Sequence, residues 1–243
     1  MKLYIVRHGD PDYEKDALTE RGKREAELLA ERLSKLDFAA FYVSPLGRAR
    51  ETAEATLRRM GRQGETKEWL REFAPTHFDP DRGRTTVIWD WLPQRWTAEK
   101  AFYDREAWMH VPDMEACGVP AEARWVYEGL DALLAAHGYE REGDVFRAVR
   151  PNRDVVVLFC HFGVECIMLG HLLGISPMPL WHGTCALTSS VTTLVTEERR
   201  EGVASFRMFP SATCPTSPPP GRSRAFPPAS ARPGTAWKND MIE

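Results

Sequence analysis

The run Asp154-Val155-Val156-Val157-Leu158-Phe159-Cys160 is apolar at every position after its first residue. It is too short for a globular helix, and its side chains do not alternate in polarity. β-Branched residues favour an extended chain. A strand that is apolar on both faces belongs inside a sheet covered on both sides. The run stops at His161-Phe162-Gly163, and an apolar segment of helical length, 164–173, follows up to Gly174. The chain opens in the same way. Lys2–Val6 is a short apolar run that ends in Arg7-His8-Gly9-Asp10-Pro11, where Gly and Pro halt a strand.

The other elements fall between these two units. Ala26, Leu29, Ala30 and Leu33 recur at helical spacing, with Thr19 as cap and Glu20 in the first turn. Phe38–Val43 predicts a strand. Ser44-Pro45 predicts a helix start with Ser as the cap, and Leu46, Ala49, Ala53, Leu57 and Met60 give that helix an apolar stripe. A further helix is expected at 121–137, and strands at Ser190–Val195 and Val203–Met208 with a polar turn between them. This order predicts a three-layer α/β/α fold with a mainly parallel central sheet. Six of the eight Trp lie between Trp69 and Trp125. Residues 73–130 are therefore read as an inserted, Trp-rich, partly helical lid, although packing is the more ordinary use of such side chains.

Composition limits what this fold can serve. Eight of the 18 Pro fall after residue 209, where apolar periodicity also ends. Residues 210–243 are expected to be a disordered tail, and 1–209 the catalytic domain. That domain carries 28 basic and 33 acidic residues, so a nucleic-acid backbone is not an expected partner. No stretch has the ~20 apolar residues of a membrane span. The N-terminal apolar run is too short for a signal peptide. Cys117, Cys160, Cys166, Cys185 and Cys214 are odd in number and lack CxxC spacing. They read as reduced thiols of a cytoplasmic protein. Oligomeric state leaves no mark on the sequence.

Three chemistry-bearing positions share one placement. His8 and His161 each follow a buried strand, and Arg48 lies in the first turn of a helix just after a strand. Ligands of open parallel sheets bind at the carboxyl ends of the strands. Helix starts near 45 and 163 add unpaired N–H groups. With Arg7, this set suits a phosphate. Arg50 lies about 200° around the helix from Arg48 and reads as a surface charge. No Gly-x-x-x-x-Gly-Lys-Ser/Thr loop is present. His161, His171, His182, Cys160, Cys166 and Cys185 fit no common zinc spacing, so neither metal nor cofactor is expected.

Leu3–Gly9 resembles the Arg-His-Gly signature of the histidine phosphatase superfamily, the phosphoglycerate mutase-like fold. Leu18-Thr19-Glu20-Arg21-Gly22 resembles its next block. Ser44-Pro45-Leu46-Gly47-Arg48-Ala49-Arg50-Glu51-Thr52-Ala53 resembles the Ser-Pro-Leu-x-Arg-Ala-x-x-Thr-Ala block, and Val156–Gly163 resembles the strand that ends in the second histidine. The resemblance implies two-step phosphoryl transfer through a phosphohistidine. His8 would be the nucleophile, with Arg7, Arg48 and His161 around the phosphoryl oxygens. Glu72 is the best match to the proton donor, with Asp79 and Glu115 as alternatives.

The chemistry is sound on its own terms. A neutral imidazole attacks phosphorus, and neighbouring Arg residues favour the neutral form. Cationic donors stabilise charge that spreads over the equatorial oxygens, and a carboxylic acid protonates the leaving alkoxide. The sequence departs from the family in two places that bear on substrate. Glu14 stands where the mutases place an Asn, and Phe73–Asp81 lacks a Gly-x-Trp-Glu-Gly segment. The expected function is hydrolysis of a small phosphorylated metabolite. A cofactor-dependent phosphoglycerate mutase and an inactive phosphate-binding module stand as alternatives.

Overall fold

The computed structural model describes residues 1–209; the expected tail at 210–243 lies outside them. The strands of the main sheet are β1 (Lys2–Arg7), β2 (Ala40–Val43), β3 (Glu65–Thr66), β4 (Tyr139–Glu142), β5 (Val145–Ala148), β6 (Val155–Cys160), β7 (Val191–Arg200) and β8 (Val203–Phe209). They form one eight-stranded sheet in the order β3-β2-β6-β1-β7-β8-β5-β4. The long helices are α1 (Glu20–Leu33), α2 (Gly47–Met60), α3 (Val119–Ala136) and α4 (Phe162–Leu173).

The unbroken apolar runs do become the central strands. Val157 and Phe159 face a core shared with Leu29 and Leu33 of α1 and Ala53 and Leu57 of α2. Val156, Leu158 and Cys160 face the opposite core, with Leu130 and Leu134 of α3 and Ile167 and Met168 of α4. Both sets are buried, which is why the sequence shows no alternation there. The result is a mixed α/β fold with helices on both faces of a large sheet.

The sheet is not mainly parallel. β1, β6, β2 and β3 pair in parallel, whereas β1–β7, β7–β8, β8–β5 and β5–β4 pair antiparallel. Strands joined by a tight turn must run antiparallel. β7 and β8 meet across Glu201-Gly202, where Gly202 takes φ 78°. The hairpin β4–β5, absent from the sequence reading, turns at Gly143-Asp144 with Gly143 at φ 61°.

The Trp-rich region does not form a separate lid in its packing. Trp69, Trp91 and Trp108 are buried in the same core as Leu3 and Ile5 of the sheet. A small hairpin, Thr76–Asp79 with Arg84–Val87, lies within this region. α1 starts as expected, with Thr19 Oγ1 accepting from Gly22 N at 3.0 Å. α2 does not start at Pro45. Its first residue is Gly47, and Leu46 at the cap position makes no side-chain capping bond. Among the described residues no helix is long and apolar enough to cross a membrane.

Candidate active site

Strand register brings the sequence-singled residues together. Val6 pairs with Phe159 and Arg7 with Cys160, while Phe159 pairs with Val43. His8, His161 and Ser44 are therefore the next residues of three adjacent parallel strands. The pairing persists one step further: His8 N donates to Cys160 O at 3.0 Å, and Ser44 N to Phe159 O at 2.9 Å. The imidazole rings of His8 and His161 stand 5.1 Å apart between centroids.

The segment after His8 is held by backbone contacts that only glycine allows. A Cβ at Gly22 would lie 2.2 Å from the Asp10 carbonyl oxygen. Gly9 N donates to Thr52 Oγ1 at 2.9 Å, and Thr52 Oγ1 donates to Arg48 O at 2.7 Å. The three N-terminal sequence blocks thus lock one another in place.

His8 is 2% exposed. Burial pushes its imidazole down to about 3, against the bond to Gly9, with Arg7 and Arg48 adding to the depression. At neutral pH it carries one proton. The 2.8 Å contact of Nδ1 with the Gly9 carbonyl oxygen requires that proton on Nδ1. Nε2 is then an unprotonated lone pair, the form a nucleophile needs. His161 is fully buried and also held well below the usual imidazole range, by burial and then by Arg48, His8 and Arg7. Its Nε2 lies 2.8 Å from Ser44 Oγ, which in turn accepts from Leu46 N at 3.3 Å.

The two arginines are tethered alike. Arg7 Nη1 donates to the Ala186 carbonyl oxygen, and its guanidinium lies over the Phe162 ring at 5.9 Å. Arg48 Nη1 donates to Asp16 Oδ1 at 2.5 Å. In both, Nε is buried without a hydrogen-bond partner, as is Nδ1 of His161. Burying unpaired polar groups is costly, and two unpaired guanidinium Nε donors together with an unpaired imidazole nitrogen suit an oxyanion.

Glu72, half-buried, meets the start of α4. Its Oε1 accepts from Phe73 N at 2.8 Å and from Val164 N at 3.1 Å. A Cβ at Gly163 would stand 2.7 Å from Glu72 Oε1 and 2.7 Å from Trp89 Nε1, so any larger residue there would displace the Glu72 carboxylate or the Trp89 ring. Burial raises the Glu72 carboxyl above its usual range, and these N–H bonds oppose the rise. The two alternatives are engaged elsewhere. Asp79 accepts from Asp81 N at 2.9 Å within its hairpin, and exposed Glu115 pairs with His110 at 2.8 Å. Arg50 is exposed and Glu14 faces solvent. Sequence reasoning missed Ser44 as a partner of His161, having read it as a helix cap. Its place directly after a strand, like that of His8 and His161, was the available signal. Asp16 and the Ala186 carbonyl had none.

Comparison with known proteins decides the family. The profile of the Histidine phosphatase superfamily (branch 1) matches residues 3–207.

The chain belongs to the histidine phosphatase superfamily.

Solved structures of the same fold include a mycobacterial glucosyl-3-phosphoglycerate phosphatase (22% identity, TM-score 0.57, covering 85% of this chain and 96% of that one). The alpha-ribazole phosphatase of Shigella flexneri matches at 20% identity and TM-score 0.54, over 86% and 95% of the two chains. A phosphoserine phosphatase mutant from Entamoeba histolytica matches at 19% and TM-score 0.54, over 84% and 95%. No curated protein sequence matches the chain. The candidate site is built on strands β1, β2 and β6 and the first turns of α2 and α4.

Proposed function

We propose that the protein is a metal-independent phosphatase that hydrolyses a small phosphorylated metabolite through a phosphohistidine on His8. The observation that carries the reading is the free Nε2 of His8, close to the buried, unpaired guanidinium donors Arg7 Nε and Arg48 Nε and the unpaired Nδ1 of His161. Their charge and hydrogen bonds stabilise the transferring phosphoryl group.

In the first step the Nε2 lone pair forms a bond to phosphorus and the ester P–O bond breaks. Glu72, in its acid form, gives its proton to the departing alkoxide. In the second step the Glu72 carboxylate takes a proton from water, whose oxygen attacks phosphorus. The P–N bond breaks, and inorganic phosphate and neutral His8 are restored. Arg7 and Arg48 supply the positive charge, so no step requires a metal. In this reading the catalytic unit is residues 1–209. Trp89, whose Nε1 donates to Phe73 O at 3.1 Å next to Glu72, is the aromatic residue of 73–130 placed to bound the leaving-group side. The structural neighbours are named for the phosphates of small metabolites, which supports the substrate class.

Phosphate release from p-nitrophenyl phosphate with EDTA present tests this reading, followed by a panel of metabolite phosphates. The wild type is expected to turn over, and His8→Ala to lose activity by orders of magnitude. Equal rates in the two would remove the proposal.

A further inference from the structure

The loop between the short paired segments Pro11–Asp12 and Ala17–Leu18 carries Asp16 at φ 47°. This is the left-handed region, which Asp tolerates better than most residues. The Asp16 carboxylate engages α2 twice. Oδ2 accepts from Gly47 N at 2.6 Å, and Oδ1 accepts from Arg48 Nη1 at 2.5 Å. The backbones also touch. A Cβ at residue 47 would sit 2.0 Å from the Asp16 carbonyl oxygen, so glycine at 47 is what lets the loop come this close. The Tyr13 ring covers the same guanidinium at 5.5 Å.

These contacts hold one end of the guanidinium and leave the other. With Nη1 committed to Asp16, the edge formed by Nε and the second terminal nitrogen remains, and Nε is buried and unpaired. That edge is the fork that binds an oxyanion in a bidentate manner. A free Arg side chain populates many rotamers, and fixing it costs entropy. A tether that fixes it in advance lowers the cost of binding. The Asp16 side chain is 41% exposed, so water screens its repulsion of a nearby anion. Its hold on Arg48 is a direct charge-assisted bond.

We propose that Asp16 is a positioning residue that anchors Arg48 Nη1 and so presents the Nε edge to the phosphoryl group. The proposal rests on the phosphate-site reading given above. It assigns the loop 11–18 a part in phosphate affinity without contact to the reacting atoms.

The test uses the full chain and measures inhibition by inorganic phosphate and orthovanadate, with kcat and KM for p-nitrophenyl phosphate. Asp16→Asn keeps an acceptor for Gly47 N–H and removes the charge. Asp16→Gly removes the carboxylate and suits the left-handed backbone, so it serves as the second variant where Asp16→Asn is strained. Both are expected to weaken phosphate binding by about 10-fold or more at little change in melting temperature. In an Arg48→Ala background, Asp16→Asn is expected to add nothing. Phosphate binding as tight as wild type in both variants overturns the proposal. So does an equal loss with and without Arg48, which would mark a purely structural role. A wild type that binds neither phosphate nor vanadate overturns the phosphate site itself, a result separable from variants that bind as well as wild type.

Discussion

At the scale of single residues, the account turns on where protons sit. His8 is depressed by burial to about 3, so its imidazole is neutral wherever the protein is folded near neutrality. Glu72 is raised by burial, so it keeps its proton at a higher pH than an ordinary carboxyl. Burial thus favours the neutral form of the base and shifts the carboxyl toward its acid form, the direction the proposed first step needs. Glu72→Gln is expected to cost about 10²–10⁴-fold with alkyl phosphates. In kcat/KM, which reports the first step, it should cost far less with p-nitrophenyl phosphate, whose leaving group departs unprotonated. For alkyl esters, kcat/KM of wild type should fall as pH rises through the raised Glu72 value, and the glutamine variant should lack that limb. Comparing pH profiles on the two substrate types checks both statements. His8, Arg48 and His161 were legible in the sequence because each directly follows a strand or lies in the first turn of a helix, and Arg7 because it sits beside His8. Ser44 carried the same strand-end signal but was read as a helix cap, and Asp16 carried none, its partner Arg48 lying 32 residues away in the chain.

At the scale of elements, strands and helices with strong apolar patterns emerged near their expected bounds. Val155–Cys160 is a strand and Phe162–Leu173 a helix ended by Gly174 at φ 67°. What the pattern could not convey was strand direction. Burial on both faces is shared by β1 and β6, yet direction in the other half of the sheet is set by the tight turns at Gly143 and Gly202. The hairpin β4–β5 was overlooked because its residues are largely polar and only Tyr139, Phe146 and Ala148 are buried. The start of α2 was misjudged because Ser44 Oγ bonds to His161 and to Leu46 N, and the helix begins only at Gly47. Close approach of elements gives a direct test. Gly22→Ala drives a Cβ to 2.2 Å from the Asp10 carbonyl, and should destabilise by roughly 1–3 kcal/mol and lower kcat/KM by shifting the segment after His8. Gly183→Ala, where a Cβ meets nothing within 4 Å, is the control, expected to leave both unchanged. Urea unfolding and steady-state kinetics read out the pair.

At the scale of the whole molecule, buried titratable groups shape stability in opposite directions. His8, depressed from 6.5 to about 3, binds fewer protons folded than unfolded across that window, so its contribution is lost as pH falls through it. Glu165 lies in the first turn of α4, accepts a hydrogen bond from the Thr192 hydroxyl and has its Oε2 unpaired. Burial raises it from 4.5 to about 7. The folded state then binds more protons between those values, and stability falls as pH rises through them. Glu165→Gln should therefore be more stable than wild type at pH 8, with the gain shrinking toward pH 5, as urea midpoints at the two values will show. The fold brings three strand ends and two helix starts together at one end of the sheet. The central claim is that the transferring phosphoryl group becomes bonded to His8. Rapid acid-free quenching of the enzyme during turnover of a ³²P-labelled phosphate ester, followed by peptide mapping, addresses it directly. The account predicts a base-stable, acid-labile label on His8 that is absent from His8→Ala. Steady hydrolysis with no such label under rapid quench, or a label on another residue, would contradict it.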